Sequence, residues 1–210
     1  MSVKLLSMLN MQNNMNLKVN MDWSQQNFAW YRAIWIESAE LMDHHGWKWW
    51  KHQECDIDQV KLELIDIWHF GLSIIITDQG INEDVAADID KQLQQALSNS
   101  SNDSDFLESV EKFASNTLST RNFSVDLFAD MMKGCNMDTD ELYKRYVGKN
   151  VLNFFRQDHG YKDGTYIKEW SGMEDNEHLV EVVSELDTES STFKDDIYAS
   201  LLKRYRDLAL

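Results

Sequence analysis

The sequence predicts an all-α fold for three reasons. Proline is absent and only 8 of the 210 residues are glycine, so few positions oppose helix formation. Leu, Glu, Lys, Gln and Met, which favour helices, are well represented. Apolar residues also recur every three or four positions in several segments, which is typical of amphipathic helices. A chain of this length can bury a substantial core, so we expect a stable helical domain.

The net charge of −16 limits the partners of the chain. It would repel DNA, RNA and anionic membrane surfaces, although a small nucleotide delivered with metal ions remains compatible with it. No run approaches the roughly 20 apolar residues of a membrane span, and residues 1–16 lack the apolar core of a secretory signal. Two cysteines, Cys55 and Cys135, are too few for a disulfide framework. We therefore expect a cytoplasmic protein without a nucleic-acid polymer or a membrane as partner.

The first two helices are predicted from their apolar faces and their ends. Residues 4–16 form a short amphipathic helix in which Gln12 and Asn16 lie one turn apart. These two amides are either solvated or read the edge of a base. The second helix is predicted from an N-cap at Ser24 to about residue 45, and Gly46 ends it. It is apolar on more than one face, which predicts a central position in the bundle.

A turn of three indoles and two ammonium groups follows, Trp47-Lys48-Trp49-Trp50-Lys51. These side chains either fill the corner between two helices or form a stacking, cationic wall for a nucleobase and its phosphates. The next helix, at about residues 56–77, is apolar on nearly all sides after Glu63. Such a helix must be buried.

The rest of the chain predicts more helices and one basic segment. A flexible loop is expected at residues 98–105, and a smaller lobe within a single domain has a candidate boundary at residues 99–122. Residues 144–168 carry six basic side chains against two acidic ones, so they form either a solvated face or a binding segment for an anion. The remaining helices are predicted at residues 83–98, 105–118, 123–133 and 138–157, followed by two amphipathic helices in residues 174–186 and 193–210.

Two acidic pairs, Glu37/Glu40 and Glu63/Asp66, lie on the two central helices. Side chains at i and i+3 project from the same side of a helix, so two such helices in a hairpin can bring four carboxylates together. A set of oxygen ligands suits Mg²⁺ or Mn²⁺. Metal sites of this kind act on di- and triphosphates, and the basic segment would neutralise the remaining phosphate oxygens. The pattern therefore predicts nucleotide pyrophosphohydrolysis.

Two other classes of protein use similar residues. Di-iron bundles combine Glu with E-x-x-H motifs, and Asp66-x-x-His69 is a degenerate form of this motif, although the sequence has no second example. A helical scaffold with solvated acids is the third interpretation. The apolar sequence around Glu37 and Glu63 opposes it, because a buried carboxylate needs compensation.

The sequences WIESAELMDHHGWKWWK (residues 35–51) and QVKLELIDIWHFGLS (residues 59–73) resemble the dimeric all-α dUTPases, which belong to the all-α NTP pyrophosphohydrolase group. Residues 148–179, GKNVLNFFRQDHGYKDGTYIKEWSGMEDNEHL, are similar to the phosphate- and base-binding segment of that family. Residues 8–16, MLNMQNNMN, are similar to its base-reading helix. The three motifs occur in the order of the family.

The resemblance implies a role for each matching residue. Two or three Mg²⁺ ions per site, which Mn²⁺ can replace, would be held by Glu37, Glu40, Glu63 and Asp66. Glu37 or Glu40 would also orient the attacking water. The base and the sugar would contact Gln12, Asn16, Trp47, Trp50, His69, Phe70 and Asn153, with Trp50 favoured as the stacking indole and Trp47 next. The phosphates would contact Lys51, Lys149, Arg156, Tyr161, Lys162 and Lys168.

The implied reaction is the hydrolysis of dUTP to dUMP and pyrophosphate, and also of dUDP, by metal-activated water that attacks the β-phosphorus. This reaction keeps uracil out of DNA. Relatives that act on dCTP share the metal motif, so a dCTP or broader dNTP pyrophosphohydrolase remains the alternative. The resemblance also implies a homodimer and a bundle with a four-helix metal-site core. A smaller mobile lobe at residues 99–137 would close on the core lobe, residues 1–98 and 138–210.

Overall fold

The computed structural model describes residues 1–99, 105–187, 190 and 192–206, and helices account for most of them. Between α7 and α8, two short strands, β1 (Glu169–Trp170) and β2 (Met173–Glu174), pair antiparallel. The all-α prediction is confirmed. The helices are α1 Ser2–Val19, α2 Trp30–His45, α3 Ile57–Gln79, α4 Glu83–Ser98, α5 Phe106–Thr120, α6 Val125–Gly134, α7 Thr139–Asp158, α8 Asp175–Glu185 and α9 Phe193–Arg206.

Helix α3 forms the centre of the bundle. It packs along α2 and also contacts α1 and α7. Leu64, Ile65, Trp68 and Leu72 are fully buried, and each buried side chain of this size stabilises the fold by about 1.5–3 kcal/mol. The side chain of Asp56 caps the helix by accepting a hydrogen bond from the Gln59 N–H. The predicted burial of this helix is confirmed.

Helix α2 begins at Trp30 and not at Ser24, so the predicted start was wrong. Residues 23–25 form a 3₁₀ turn instead. Asn27 then adopts a φ of 50°, in the left-handed region, which a continuous right-handed helix cannot contain. The chain therefore bends between α1 and α2, and this bend carries Trp23 and Phe28.

Helices α5 and α6 pack on the same bundle, α5 against α2 and α6 against α4. Trp68 of α3 stacks on Phe128 with ring centroids 4.8 Å apart, and Phe123 meets it edge-on. Gly71 allows the Phe123 ring to lie close to α3, because a Cβ atom at position 71 would be 2.6 Å from this ring. Residues 100–104 of the predicted loop lie outside the described residues, and mobility of the smaller lobe stays a prediction.

No helix within the described parts of the chain is both long enough and apolar enough to cross a membrane.

Candidate active site

The carboxylates of Glu37, Glu63 and Asp66 converge in a cleft beside α2 and α3. One oxygen atom from each residue lies within 4.8 Å of the others. Glu63 and Asp66 share a face of α3 through their i,i+3 spacing, and Glu37 reaches them from α2. Glu40, almost one turn further along α2, lines the same cleft but is exposed to solvent. The structure thus brings three of the four predicted acids together and leaves Glu40 at the solvent edge.

Burial raises the pKa of Glu37 to about 9, and the neighbouring charge of Asp66 and a hydrogen bond with Glu63 add to the increase. Burial, followed by the charge of Asp66, also raises the pKa of Glu63. The hydrogen bond between the two glutamates lowers the pKa of Glu63 and raises that of Glu37, which favours Glu37 over Glu63 as the site of a proton. A cluster that retains a proton at neutral pH is one that a divalent cation would stabilise in its ionised form.

Lys149 of α7 compensates part of this negative charge. Its side chain is almost fully buried, and its Nζ lies 2.8 Å from Asp66 Oδ2 and 3.0 Å from Asn176 Oδ1. His44 stands on the other side, with Nε2 3.5 Å from Glu63 Oε1. The acids therefore meet positive or polar groups from α2, α7 and α8.

Arg156 is held in one orientation by Asp175. Its Nε and one terminal nitrogen donate to the two carboxylate oxygens at 2.7 and 2.8 Å, and the Tyr166 hydroxyl donates to the same carboxylate at 2.9 Å. Burial alone would raise the pKa of Asp175, but the bonds from Arg156 and Tyr166 outweigh it and lower the pKa. Burial alone would lower the pKa of Arg156, but the hydrogen bonds and the charge of Asp175 outweigh this effect and raise the pKa. Arg156 therefore presents a fixed, permanent positive charge.

The acidic cleft has a volume of about 450 Å³ and is lined by acids on one side and bases on the other. Four of the predicted phosphate residues lie in its wall, namely Lys149, Arg156, Tyr161 and Lys168. The Lys168 Nζ pairs with Glu174 at 3.0 Å. Glu174 and Asn176 also line the cleft, although neither was predicted from the sequence as a site residue. They lie within the stretch that resembles the family, so that motif was the available signal.

A second cavity of about 240 Å³ adjoins the cleft, and Asp66 lines both. Five predicted base and sugar residues lie in its wall, namely Gln12, Asn16, His69, Phe70 and Asn153. Trp23, Phe28 and Trp30 complete it, and the Trp30 ring stacks on Phe70 with centroids 6.0 Å apart. We call this cavity the aromatic pocket.

Buried hydrogen bonds fix the polar wall of the aromatic pocket. Gln12 Oε1 lies 2.6 Å from His69 Nδ1 and accepts from the Tyr146 hydroxyl at 3.1 Å. The amides of Gln12 and Asn16 both donate to the Ser73 hydroxyl, which the sequence analysis missed although it lies one turn after His69. Burial lowers the pKa of His69 to about 4, so its ring is neutral at neutral pH. Since Nδ1 donates to Gln12, Nε2 is an acceptor, and it has no partner within the described residues.

Four predicted site residues line neither of these two cavities within the described chain: Trp47, Trp50, Lys51 and Lys162. Trp47 and Trp50 contact each other edge-on in the exposed turn after α2, and Trp49 beside them is 90% exposed. Lys162 donates to the Val19 carbonyl at 3.0 Å. The aromatic wall comes instead from the bend between α1 and α2. The sequence did not predict this wall, because the residues of the bend were assigned to the start of α2.

Because the acidic cleft suits metal-bound phosphates and the adjoining aromatic pocket suits a base, the two cavities together fit a nucleotide, as expected of the nucleotide pyrophosphohydrolases. The dUTPase family model matches residues 4–161, well over half of the chain. The chain therefore belongs to the all-α dUTPase family, and its activity is that of a dUTP diphosphatase. A search of curated proteins found no significant match.

The raised pKa of Glu37 predicts how stability depends on pH. The ordinary pKa of 4.5 is below the folded-state value of about 9, so the unfolded chain loses this proton first as the pH rises. The stability that the proton contributes is complete below the unfolded pKa and is lost as the pH rises through the folded one. In EDTA, the melting temperature of the wild type should therefore fall over this range, and Glu37→Gln should fall less.

Glu54→Gln is the control, because Glu54 is exposed and is not among the charges that raise the pKa of Glu37, so this variant should keep the pH dependence of the wild type. Scanning fluorimetry at several pH values measures all three proteins. Equal slopes for Glu37→Gln and the wild type would contradict the protonated cluster.

Proposed function

We propose that this chain hydrolyses dUTP to dUMP and pyrophosphate with two or three Mg²⁺ ions, which Mn²⁺ can replace, and that it also hydrolyses dUDP. The observation that carries the proposal is the shared wall at Asp66. A nucleotide whose base enters the aromatic pocket would have its phosphates in the acidic cleft.

The donor atoms suit magnesium. Glu37, Glu63 and Asp66 offer three carboxylate oxygens within 4.8 Å of one another, and Mg²⁺ prefers oxygen ligands. Glu40 would contribute from the solvent edge. When bound, the ions would polarise the phosphate oxygens and lower the pKa of the attacking water. The thiols are not alternative ligands at this site, because Cys55 and Cys135 are absent from the lining of the cleft within the described chain.

The chain's own residues orient the substrate. The Asn16 amide, which keeps one free N–H within the described chain, and the unpaired Nε2 of the neutral His69 would read the edge of uracil. Gln12, whose donors and acceptors are filled by Asn16, Ser73, His69 and Tyr146, would hold these groups in place.

Phe70 would exclude a ribose 2′-hydroxyl by packing. Asn153 lies in the aromatic pocket and its Oδ1 is 3.4 Å from Arg156. It would therefore contact the sugar at the junction of the two cavities.

In the chemical step, Glu37 or Glu40 would accept a proton from the attacking water. The water oxygen forms a bond to the β-phosphorus, and the bond from this phosphorus to the oxygen that bridges to the α-phosphorus breaks. The bridging oxygen leaves with dUMP. Arg156 and Lys149 would neutralise the charge that develops on the phosphate oxygens. Attack on dUDP by the same route would release inorganic phosphate.

This activity would keep uracil out of DNA, and we place it in the cytoplasm, where the two free cysteines would stay reduced.

We also propose a homodimer. Trp35 and Ile36 are about half exposed on α2, and Trp49 in the turn after α2 is almost fully exposed; exposed apolar groups of this kind mark interfaces.

Sedimentation at enzymatic concentrations should give a dimer, because a second copy would bury these apolar side chains. Trp35→Glu should shift the equilibrium toward the monomer, while Trp23→Phe, a change at a buried residue, should not. A wild-type monomer at all concentrations used in the assay would contradict the proposal.

A panel of deoxynucleoside triphosphates tests the proposed substrate and metal. With Mg²⁺, pyrophosphate release should be fastest from dUTP, and EDTA should abolish it. Glu63→Gln should lower kcat by at least about 100-fold, as loss of an electrostatic group at a reacting centre does. Glu54→Gln, at a fully exposed glutamate, is the control and should match the wild type. Faster hydrolysis of dCTP would select the alternative substrate, and turnover in EDTA would contradict the metal site.

Arg156→Lys tests the phosphate contact while keeping the charge. A lysine cannot make the paired hydrogen bonds of a guanidinium group, so kcat/KM for dUTP should fall by about 10- to 150-fold, which corresponds to roughly 1.5–3 kcal/mol. Lys162→Met is the comparison, because the resemblance implies a phosphate role for Lys162 that its position outside the cleft does not support. It should change kcat/KM little. The opposite ranking would favour the sequence-based assignment.

A further inference from the structure

Helix α9 lines neither the acidic cleft nor the aromatic pocket within the described residues, yet it packs against α7 and α8. The segment that joins these two helices, together with the first three residues of α8, is what we call the phosphate arm, residues 159–177. The arm carries Tyr161, Lys168 and Asn176 into the cleft. Both α9 and most of the arm follow residue 161, where the family match ends.

A chain of contacts joins α9 to the guanidinium group of Arg156. The Tyr205 ring stacks on Tyr166, with centroids 5.6 Å apart and planes 12° apart. The Tyr166 hydroxyl donates to Asp175 Oδ2 at 2.9 Å. Asp175 is fully buried and accepts the two hydrogen bonds that orient Arg156. The Tyr205 hydroxyl also accepts from the Ile167 N–H at 3.4 Å, so Tyr205 holds both the backbone and a ring of the arm.

A second tie reaches the β-hairpin of the arm. A terminal nitrogen of Arg204 donates to His178 Nδ1 at 3.2 Å, and His178 Nε2 donates to the Trp170 carbonyl at 2.9 Å. The imidazole of His178 also stacks on the Trp170 indole. Strand β1, which contains Trp170, follows directly after Lys168. The Tyr205 ring also meets the Trp170 indole edge-on, with centroids 5.2 Å apart. Helix α9 thus contacts the arm on both sides of this lysine.

We propose that Tyr205 is a positioning residue for phosphate binding, acting through Tyr166 and Asp175 on Arg156. The inference rests on the phosphate role proposed above for Arg156. Arginine has a flexible side chain, and fixing it before the nucleotide arrives removes an entropic cost from binding. Loss of the Tyr205 ring would leave the Tyr166 hydroxyl free to move away from Asp175. The expected effect is therefore specific to the phosphates and spares the base.

The test compares two ligands with Mg²⁺ present: the non-hydrolysable α,β-imido analogue of dUTP, which carries the phosphates, and deoxyuridine, which does not. Tyr205→Leu should weaken binding of the analogue by about three- to tenfold, the range expected for a lost aromatic pair. The inhibition constant of deoxyuridine should be unchanged. Tyr205→Phe keeps the ring and should restore most of the affinity for the analogue.

Tyr198→Leu is the matched control. It removes an equal ring from α9, where Tyr198 contacts Phe155 and donates to Asp158 instead of touching Tyr166. The ratio of the two affinities should therefore stay at the wild-type value. Equal weakening of both ligands by Tyr205→Leu, or no weakening of either, would overturn the proposal.

If Tyr205→Leu does not fold, Tyr166→Phe replaces it, since this variant keeps the ring and removes only the hydroxyl bound to Asp175. It should show the same loss for the analogue alone, and wild-type affinity would overturn the proposal. Arg156→Lys in the same assay distinguishes a failure of the role proposed for Tyr205 from a failure of the phosphate role proposed for Arg156. If it weakens binding of the analogue and the tyrosine variants do not, only the role of Tyr205 fails. If Arg156→Lys does not weaken binding of the analogue, the phosphate role of Arg156 fails as well.

Discussion

Repulsion among the clustered carboxylates of Glu37, Glu63 and Asp66, of which Glu63 is buried and the other two are partly buried, is the constraint on which the rest of the site depends. Ionised groups this close together in a partly buried cleft need a proton, a cation or a basic side chain. The ammonium group of Lys149 lies beside Asp66, and the raised pKa of Glu37 favours a proton on that carboxyl group. The proposed magnesium ions would supply the cation, and they would replace the proton.

On the basic side of the cleft, the positive charge is likewise compensated by a neighbouring group of opposite charge. Arg156 is nearly buried, and its charge is tolerated because Asp175 accepts two hydrogen bonds from it. Asp175 in turn requires Tyr166, because a fully buried carboxylate with one partner would keep acceptor sites unfilled. Each buried polar group thus requires a further hydrogen-bonding partner. This is why residues far from the nucleotide, such as Tyr205, become connected to the cleft.

Helix positions and the acidic cluster could be predicted from sequence, because both depend on spacing within one segment. The apolar pattern of α3 located a buried helix, and the i,i+3 spacing placed Glu63 and Asp66 on one face. The start of α2 could not be predicted, since it depends on the left-handed backbone of Asn27. The pairing of Arg156 with Asp175 could not be derived from spacing either, because a hairpin that turns through Ser171 and Gly172, both with positive φ, brings them together.

In the proposed binding mode, the shared wall at Asp66 would also couple recognition of the base to the chemical step. Because this carboxylate lines both cavities, a base that sits differently in the aromatic pocket would move its phosphates relative to the acids. Misplacement of reacting groups by about 1 Å can cost a factor of 100 in rate. Discrimination between bases would then appear in kcat as well as in binding. The buried network of Gln12, Asn16, Ser73 and His69 is suited to this role, because its members hydrogen-bond to one another, while the acceptor nitrogen of His69 has no partner among the residues that the structure describes.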